Sequence, residues 1–443
     1  MDTDDRLNVV VVGLGYVGLT LGVALARRGI RVYGIERRQE VVDLTNKGIP
    51  HFAEVGLESA LSTAVNTGHL SASRTTEGIP QAAYYVITVG TPLLAGTYEP
   101  RLDMIESATS EVAAHMPDNA TVILRSTVRI GTTRDVVRPI LESSGRKFHL
   151  AMCPERTLEG DALRELTLLP QIVGGSDPAA AGSAAALFSR LTSTIVRVAD
   201  PETAEMIKLI DNTSRDVRFA FANEVARACD AIGVSANDVI HFGKLGYPRT
   251  DVARPGLVGG PCLEKDPHIL AASLDPFGVD LEITRAARTV NERQPAETVD
   301  ALLGELARRK PGPYTAVVAG VAFKGRPETD DLRGSMSLSV INELRRSGRC
   351  STIRVFDPVV PIEALQAVNG VEAFESFASA CTDADVLIIA NNHPVFSTID
   401  VEATVESMAD DAVIFDYWNN LADRPAETLS GTYFTVGNIA GKY

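Results

Sequence analysis

The chain has 443 residues, enough for two or three domains, with 45% hydrophobic and 22% charged residues, the make-up of a soluble globular protein. A formal net charge of -15 sets it against nucleic acid and anionic membranes as partners, because both would repel it, and leaves room only for a local basic pocket around a small anion. The opening MDTDDRL has no apolar signal core, no apolar run is long enough to span a bilayer, and the five scattered cysteines (Cys153, Cys229, Cys262, Cys350, Cys381) describe neither a disulfide framework nor a zinc site; the expectation is a cytoplasmic protein without a metal, in a compartment where a free thiol persists.

Residues 7–12, LNVVVV, read as a fully buried strand, followed by GLGYVG, the apolar-periodic LTLGVALARRG and a second strand in IRVYGIE: a βαβ unit. AYYVITVG (83–90), NATVILRST (119–127) and QIVGG (171–175) read as further buried strands, so roughly the first 200 residues form a parallel, doubly wound sheet. From Pro201, PETAEMIKLIDNTSRDVRFAFANEVARACDAIG runs about thirty residues without an internal proline or glycine and stops at Gly233. Such a helix is too long and too apolar to lie alone on a surface, which points to a subunit interface or an interdomain spine. KPGPYT (310–315) reads as a linker. Beyond it, TAVVAGVAF, the helical SMSLSVINELRRSG, TIRVFDP, ADVLIIANN and AVIFDYW imply a second, smaller α/β domain. The fold class is α/β: two Rossmann-like doubly wound domains joined by a long central helix.

Gly13, Gly15 and Gly18 form G-x-G-x-x-G between a strand and a helix. The first glycine allows the tight turn, the second lets a pyrophosphate approach the backbone, the third lets helix and strand pack closely, and the helix N-terminus faces the anion. Glu36 closes the next strand eighteen residues after Gly18, where a carboxylate accepts from a ribose hydroxyl and repels a ribose phosphate. The cofactor expected is NAD, with the neighbouring Arg37 keeping NADP open.

In GLVGGPCLEKD (256–266), Cys262 follows Gly259, Gly260 and Pro261. A cysteine at the start of a helix meets exposed N–H groups that favour its thiolate, and Lys265 and Asp266 can sit beside the sulfur if the turn is helical, although Pro267 limits its length. Taken alone, the segment is equally a structural loop with an inert cysteine. Lys208, Asn212, Arg215, Phe219 and Asn223 lie at spacings of four, three, four and four and share one helix face; a lysine and an asparagine one turn apart suit a developing oxyanion, or form an ordinary interfacial pair. Glu155 and Glu159 in CPERTLEG are a general base and a substrate contact, or surface acids. Ser126, Thr127 and Thr133 stand at the edge where an α/β sheet meets its ligands, or cap turns.

With these residues in order, the chain resembles the nucleotide-sugar 6-dehydrogenases, the UDP-glucose/GDP-mannose dehydrogenase family. The resemblance rests on GLGYVG, VGTP (89–92), STVRIGTT (126–133), CPERTLEG (153–160), AEMIKLIDNT (204–213), FANE (221–224), VGGPCLEKD (258–266), RTVNE (288–292), GVAFK (320–324), TDDLRGS (329–335) and FDP (356–358), spread over nearly the whole chain. It implies an NAD-binding domain (1–200), a helical central domain that forms a homodimer and carries the catalytic cysteine (201–308), and a C-terminal domain that grips the nucleotide sugar (309–443). It implies two successive oxidations of a sugar's primary alcohol to a carboxylate. Cys262 traps the aldehyde as a thiohemiacetal that becomes a thioester, Lys208 and Asn212 hold oxyanions, and Thr127, Asp266 or Glu155 positions or activates water. The implied cofactor residues are Gly13, Gly15, Tyr16, Val17, Gly18, Glu36, Arg37, Thr91, Thr127, Glu159 and Lys265. The implied substrate residues are Glu155, Arg156, Thr157, Leu158, Lys208, Asn212, Arg215, Gly259, Cys262, Phe323 and Lys324, with the loop 250–260 and, alternatively to an ion-pair turn, Arg333.

CPER and RDVRFAFANE look like the branch acting on UDP-2-acetamido-mannose, but that branch usually has histidine before the cysteine and no lysine before the aspartate. Here Pro261 and Lys265 flank the site, and with Glu159 they resemble the glucose branch. The expectation is therefore UDP- or dTDP-glucose, with UDP-N-acetylmannosamine or UDP-N-acetylglucosamine as alternative. Trp418 in FDYWNN stands where the family commonly has an arginine that reaches substrate. Two other readings compete: a two-electron hydroxyacid-type dehydrogenase needing no thiol, and a non-catalytic sensor of NAD or nucleotide sugar.

Overall fold

The computed structural model describes residues 7–94, 97–421 and 433–438; the acidic opening residues 1–6 lie outside them. The chain packs as two units, one of residues up to Asp211 with His268–Asp280, the other of Asn212–Pro267 with Leu281 onward. The segment 201–308 is thus divided between them.

The first unit is an eight-stranded sheet in the order β3-β2-β1-β4-β5-β6-β7-β8. Its strands are β1 (Asn8–Val12), β2 (Arg31–Ile35), β3 (Leu70–Ser73), β4 (Tyr84–Ile87), β5 (Ala120–Leu124), β6 (Phe148–Met152), β7 (Gln171–Gly175) and β8 (Ile195–Val198). β1 is an unbroken valine run because both its faces are covered. Val9 and Val11 pack with Val86 and Ile123 on one side, Val10 and Val12 with Tyr85, Ile87 and Leu124 on the other. Alternate residues of one strand thus feed two cores. The parallel sheet expected for this region has one exception: β7 runs antiparallel to β6. The helix between them, Ala162–Leu168, spans only seven residues, about 10 Å, and does not carry the chain back along the sheet for a parallel re-entry.

The second unit contains a six-stranded sheet, β11-β10-β9-β12-β13-β14. Its strands are β9 (Tyr314–Ala319), β10 (Cys350–Phe356), β11 (Glu372–Ala373), β12 (Val386–Ile389), β13 (Val413–Asp416) and β14 (Tyr433–Thr435), all parallel. The stretch read as a linker is shorter than expected, since Tyr314 and Thr315 already belong to β9 and pair with β10. The long helix, Pro201–Ile232, has 32 residues. It ends where Gly233 adopts φ +70° and the Val234 N–H returns to the Cys229 carbonyl at 3.1 Å, a left-handed stop that glycine accepts without strain. The expected class, two doubly wound α/β sheets and a long helix, is the one observed.

In each sheet the strand order reverses once, between β1 and β4 and between β9 and β12. Loops leave in opposite directions at such a point and open a crevice at the carboxyl ends of the strands. The loops there are Gly13–Gly18 and Thr88–Thr91 in the first unit, Gly320–Lys324 and Asn391–His393 in the second. Close packing under the first crevice depends on Gly18, where an added Cβ would lie 1.8 Å from the Gly13 carbonyl oxygen and 2.5 Å from Thr88 Oγ1. We expect Gly18→Ala to destabilise the protein by about 1–3 kcal/mol through this overpacking, read as a lowered thermal midpoint; an unchanged midpoint would show that the loop yields freely.

Candidate active site

The glycine loop of the first unit is arranged for an anion. Gly13 has φ +93°, and its N–H bonds the Ile35 carbonyl at 2.7 Å, tying the turn to β2. Thr88 Oγ1 closes the other side by donating to the carbonyls of Val12 and Gly13 at 3.0 and 2.7 Å. Gly15 is different: its φ of -72° suits any residue, and a Cβ there would meet no protein atom within 4 Å. The fold itself does not ask for glycine at 15, and the open space there leaves room for a ligand to approach the backbone. The helix Tyr16–Ala26 starts with no side-chain cap and no acidic residue in its first turn, which leaves its N–H groups and dipole facing outward. Tyr16 packs on Phe52 with ring centroids 3.9 Å apart, and Val17 follows it in the same first turn.

Glu36 lies beside this loop. Its Oε2 accepts from the Leu14 N–H at 3.2 Å, and its Oε1 accepts from the Arg38 N–H at 3.1 Å and from Arg38 Nε at 3.2 Å. Burial pushes the carboxyl up, but the Arg38 hydrogen bonds and charge and the Leu14 amide outweigh it and hold the group below its usual range. Glu36 is therefore an ionised acceptor at neutral pH, as a ribose diol requires. Arg37 is exposed and engaged with Ser107 Oγ. Thr91 is buried and donates to the Thr127 carbonyl at 2.5 Å, which joins the loops after β4 and β5. These residues together fit a dinucleotide: an amide-lined N-terminus for pyrophosphate and a fixed carboxylate for ribose.

The CPERTLEG loop is built around buried ionic contacts. Arg125, 2% exposed, donates to Glu155 Oε2 from Nε at 3.0 Å and from Nη2 at 2.6 Å, and to the Cys153 carbonyl and Gln171 Oε1 from Nη1. Glu155 Oε1 accepts the N–H groups of Arg156 and Thr157, both at 2.7 Å. Burial works to raise this carboxyl, and Arg125, the amides and the charge of Lys208 overcome it and keep it ionised. A carboxylate offers about four acceptor positions, and all four are taken. Glu155 is thus neither a surface acid nor an uncommitted base; it fixes the loop. The Leu158 N–H bonds Glu165, the Gly160 N–H bonds Glu54, and Arg156 reaches Asp211 and the Pro170 carbonyl. Glu159 is half-buried in the same loop. Lys208 is buried, with no hydrogen-bond acceptor among the described residues.

Sequence reasoning passed over Arg125 and Glu205. Arg125 sits inside NATVILRST, but a lone arginine at a strand end carries no local signal. Glu205, three residues before Lys208 and 1% exposed, accepts from Thr133 Oγ1 at 2.6 Å, the Thr133 N–H at 2.9 Å and the Gly131 N–H at 2.6 Å. Thr133 is held by this carboxylate, and Ser126 Oγ donates to the Val89 carbonyl at 2.6 Å; both fasten turns.

In the second unit, Cys262 lies in the short helix Gly260–Leu263 and is exposed, while Cys153, Cys229 and Cys381 are buried and Cys350 is half-buried. Burial pushes the Cys153 thiol up to about 12, so it is inert. The Cys262 turn is pressed against two loops. A Cβ on Gly260 (φ +87°) would lie 2.4 Å from the Phe323 ring, and one on Gly259 would lie 2.5 Å from the Gly334 carbonyl oxygen. Asp266, fully buried, starts the next helix; its Oδ2 accepts from Asn212 Nδ2 at 2.6 Å and its Oδ1 from Lys265 Nζ at 2.7 Å. Lys265 therefore serves its own turn here. Asn212 keeps one further N–H for an oxyanion. Arg215, on the same helix face, is exposed. The Lys324 ammonium lies 5.2 Å from the Phe323 ring centre, and Arg333 pairs with both oxygens of Asp331, the ion-pair turn that DDLR allowed. Trp418 Nε1 donates to the Ala390 carbonyl at 3.0 Å, its own carbonyl accepts from Arg254, and its indole faces Gly256.

Two outcomes follow from the first unit. Gly15→Ala should leave the thermal midpoint unchanged and weaken NAD binding by at least about tenfold, because only the ligand meets the new methyl; titration of NAD against the variant checks it, and wild-type affinity would refute the assignment. Burial raises the Glu205 carboxyl from its ordinary 4.5 to about 7, so the folded state holds the proton more tightly than the unfolded chain. The stability from that group is fully present below 4.5 and is lost as pH rises through about 7. Glu205→Gln should flatten the fall of the thermal midpoint across that window, and a wild-type slope in the variant would refute it.

Comparison with known proteins matches these features to one family. Its NAD binding domain corresponds to residues 7–192, its central domain to 202–293 and its UDP binding domain to 317–423. A UDP-N-acetyl-D-mannosamine dehydrogenase of Pyrococcus horikoshii is 32% identical over 95% of this chain and 97% of its own. A solved structure of UDP-D-ManNAc dehydrogenase from that organism superposes with a TM-score of 0.87 over 98% of this chain and 100% of that one. An NDP-N-acetyl-D-galactosaminuronic acid dehydrogenase of Ralstonia nicotianae is 33% identical over 91% of this chain and 94% of its own. A UDP-glucose dehydrogenase structure from Pyrobaculum islandicum, 28% identical, has a TM-score of 0.84 over 96% of this chain and 98% of that one. The glycine loop with its carboxylate and the ordered domains leave one conclusion: the chain is an NAD-dependent oxidoreductase of the UDP-glucose/GDP-mannose dehydrogenase family.

Proposed function

We propose that the protein oxidises the primary alcohol of a nucleoside-diphosphate 2-acetamidohexose to the carboxylate in two two-electron steps, with Cys262 as the covalent nucleophile. The observation that carries this is the Cys262 turn: of five thiols, the exposed one sits on a helix start fixed by two glycines, four residues before a buried carboxylate held by Asn212 and Lys265. A two-electron dehydrogenase or a sensor would have no use for it.

The loop 13–18 and Glu36 would hold NAD, which would supply the hydride acceptor, one NAD molecule for each of the two oxidations. Asp266 is the acid with room to manage the proton of the alcohol, because two of its acceptor positions remain while those of Glu155 are filled. The Cys262 sulfur then adds to the aldehyde carbon, and the thiol proton passes to the carbonyl oxygen, giving a thiohemiacetal. Lys208 and the second N–H of Asn212 stabilise the oxyanion that this addition develops. Loss of a second hydride and the hydroxyl proton leaves a thioester. Water adds to that carbonyl, the C–S bond breaks, and carboxylate and thiol are released. Addition matters because an aldehyde becomes a good hydride donor only once its carbon is tetrahedral.

The 2-acetamido group is favoured by the relatives from Pyrococcus horikoshii and Ralstonia nicotianae, each matched over at least 91% of this chain. A nucleotide glucose is the second reading, favoured by Pro261 and Lys265 beside the nucleophile and by the likeness to the Pyrobaculum islandicum structure. A homodimer through the long helix is supported by its exposed Ile210, Phe221 and Ile232. Among the described residues no helix is long and apolar enough to cross a membrane.

The test is a panel of UDP-N-acetylmannosamine, UDP-N-acetylglucosamine, UDP-N-acetylgalactosamine, UDP-glucose, dTDP-glucose and GDP-mannose, each followed by NADH yield. Two NADH per sugar are expected from an acetamido substrate. Cys262→Ala should bind NAD normally and form no uronate; normal uronate output from that variant would sink the mechanism.

A further inference from the structure

Four buried polar side chains lie between the two long helices of the second unit, away from the groups already assigned. Asp216 and Asn223 come from Pro201–Ile232, Arg288 and Asn291 from Glu282–Arg309. All are at most 2% exposed. Arg288 Nη1 donates to Asp216 Oδ1 at 2.6 Å; Asn291 Nδ2 donates to the same oxygen at 2.9 Å and to the Asp216 carbonyl at 3.1 Å; Asn223 Nδ2 donates to Asn291 Oδ1 at 3.0 Å.

Besides the bond from Arg288 Nε to the exposed Glu292 at 3.2 Å, the network has two outlets, and both lead to one segment. Asn223 grips Gly256 twice, its Oδ1 accepting the Gly256 N–H at 2.9 Å and its Nδ2 donating to the Gly256 carbonyl at 3.0 Å. Arg288 Nη1 donates to the Leu263 carbonyl at 2.9 Å. The segment 256–263, with Cys262 one residue from its end, is thereby tied at both ends, and midway the Gly260 N–H bonds the Gly334 carbonyl at 2.7 Å. The Cys262 side chain is exposed and has no hydrogen bond of its own among the described residues, so its place is set by this backbone. Burying an ion pair between hydrophobic helices is seldom a net gain in stability, and apolar side chains would fill the space as well. What the pair supplies is direction: one guanidinium nitrogen, Nη1, reaches a carboxylate and a carbonyl together while Nε is held by Glu292.

We infer that Asn223 and Arg288, with Asp216 and Asn291 behind them, are positioning residues for the Cys262 nucleophile, a role that rests on the covalent reading proposed above. Asp266 is held separately, by Asn212 and Lys265. Loosening the clasp should therefore spare the first oxidation, which needs no thiol, and slow the second, which needs the sulfur in reach of the aldehyde carbon.

Single turnovers with enzyme in excess over UDP-N-acetylmannosamine, and in parallel over UDP-glucose, resolve the two NADH phases. Asn223→Ala strands no charge and should leave the first phase within about threefold of wild type while slowing the second about 10- to 100-fold, the scale of a displacement near 1 Å. If that variant does not fold, Arg288→Lys makes the same comparison, keeping a charge beside Asp216 but losing the fork. Both phases slowed alike, or neither slowed, overturns the inference. A single NADH per sugar from the wild type overturns the covalent reading itself, and the positioning role with it.

Discussion

Residue 260 and the Phe323 ring are so close that any side chain on the first would occupy the second, the ideal Cβ standing 2.4 Å from the ring. Opposite it, a Cβ on Gly334 would lie 2.9 Å from the Gly260 backbone. Backbone thus packs on ring and on backbone, with the side chains of Glu264 and Met336 pressed in beside them. This contact is what allows a solvent-exposed thiol to have a defined position. A cysteine held by its own side-chain partners would be covered; one on a mobile loop would be free but misplaced. Two glycines in succession, one at φ +87°, let the backbone come close enough to be held without any partner on the cysteine itself.

A second constraint is electrostatic. The chain carries a net charge of -15, yet the carboxylates at the sites are each matched locally: Glu36 by Arg38, Glu155 by Arg125, Asp266 by Lys265. Matching by hydrogen bonds aims a buried carboxylate in one direction. The three differ in what is left over. Glu155 has no acceptor position to spare and acts as a fastener, whereas Asp266 has capacity on both oxygens.

Much of this could be read along the chain. Val9–Val12, the glycines at 13, 15 and 18, and Glu36 form a local pattern whose meaning depends only on spacing, so strand, turn, helix and acid were all legible. The second sheet was legible for the same reason, through runs such as VLII and VIFD. The Arg125–Glu155 pair was not, because its partners are 30 residues apart, and neither was Asp216–Arg288, 72 apart; a sequence shows the residue types but not which strand end or helix face they meet on. The reversal of β7 was hidden too, since a buried strand has the same alternation in either direction. The markers RTVNE and FANE could be matched to a family without revealing that Arg288, Asn291 and Asn223 meet in one buried network.

The distribution of the thiols has a practical consequence. Cys153, Cys229 and Cys381 are buried, Cys350 is half-buried, and Cys262 alone stands open to solvent. Alkylating reagents and peroxides react with accessible sulfur first. A saturating alkylating label under native conditions should therefore go first to Cys262, about one equivalent per chain, and an oxidant should reach this thiol before those of the core. Handling the protein in reductant keeps this exposed thiol in one chemical state.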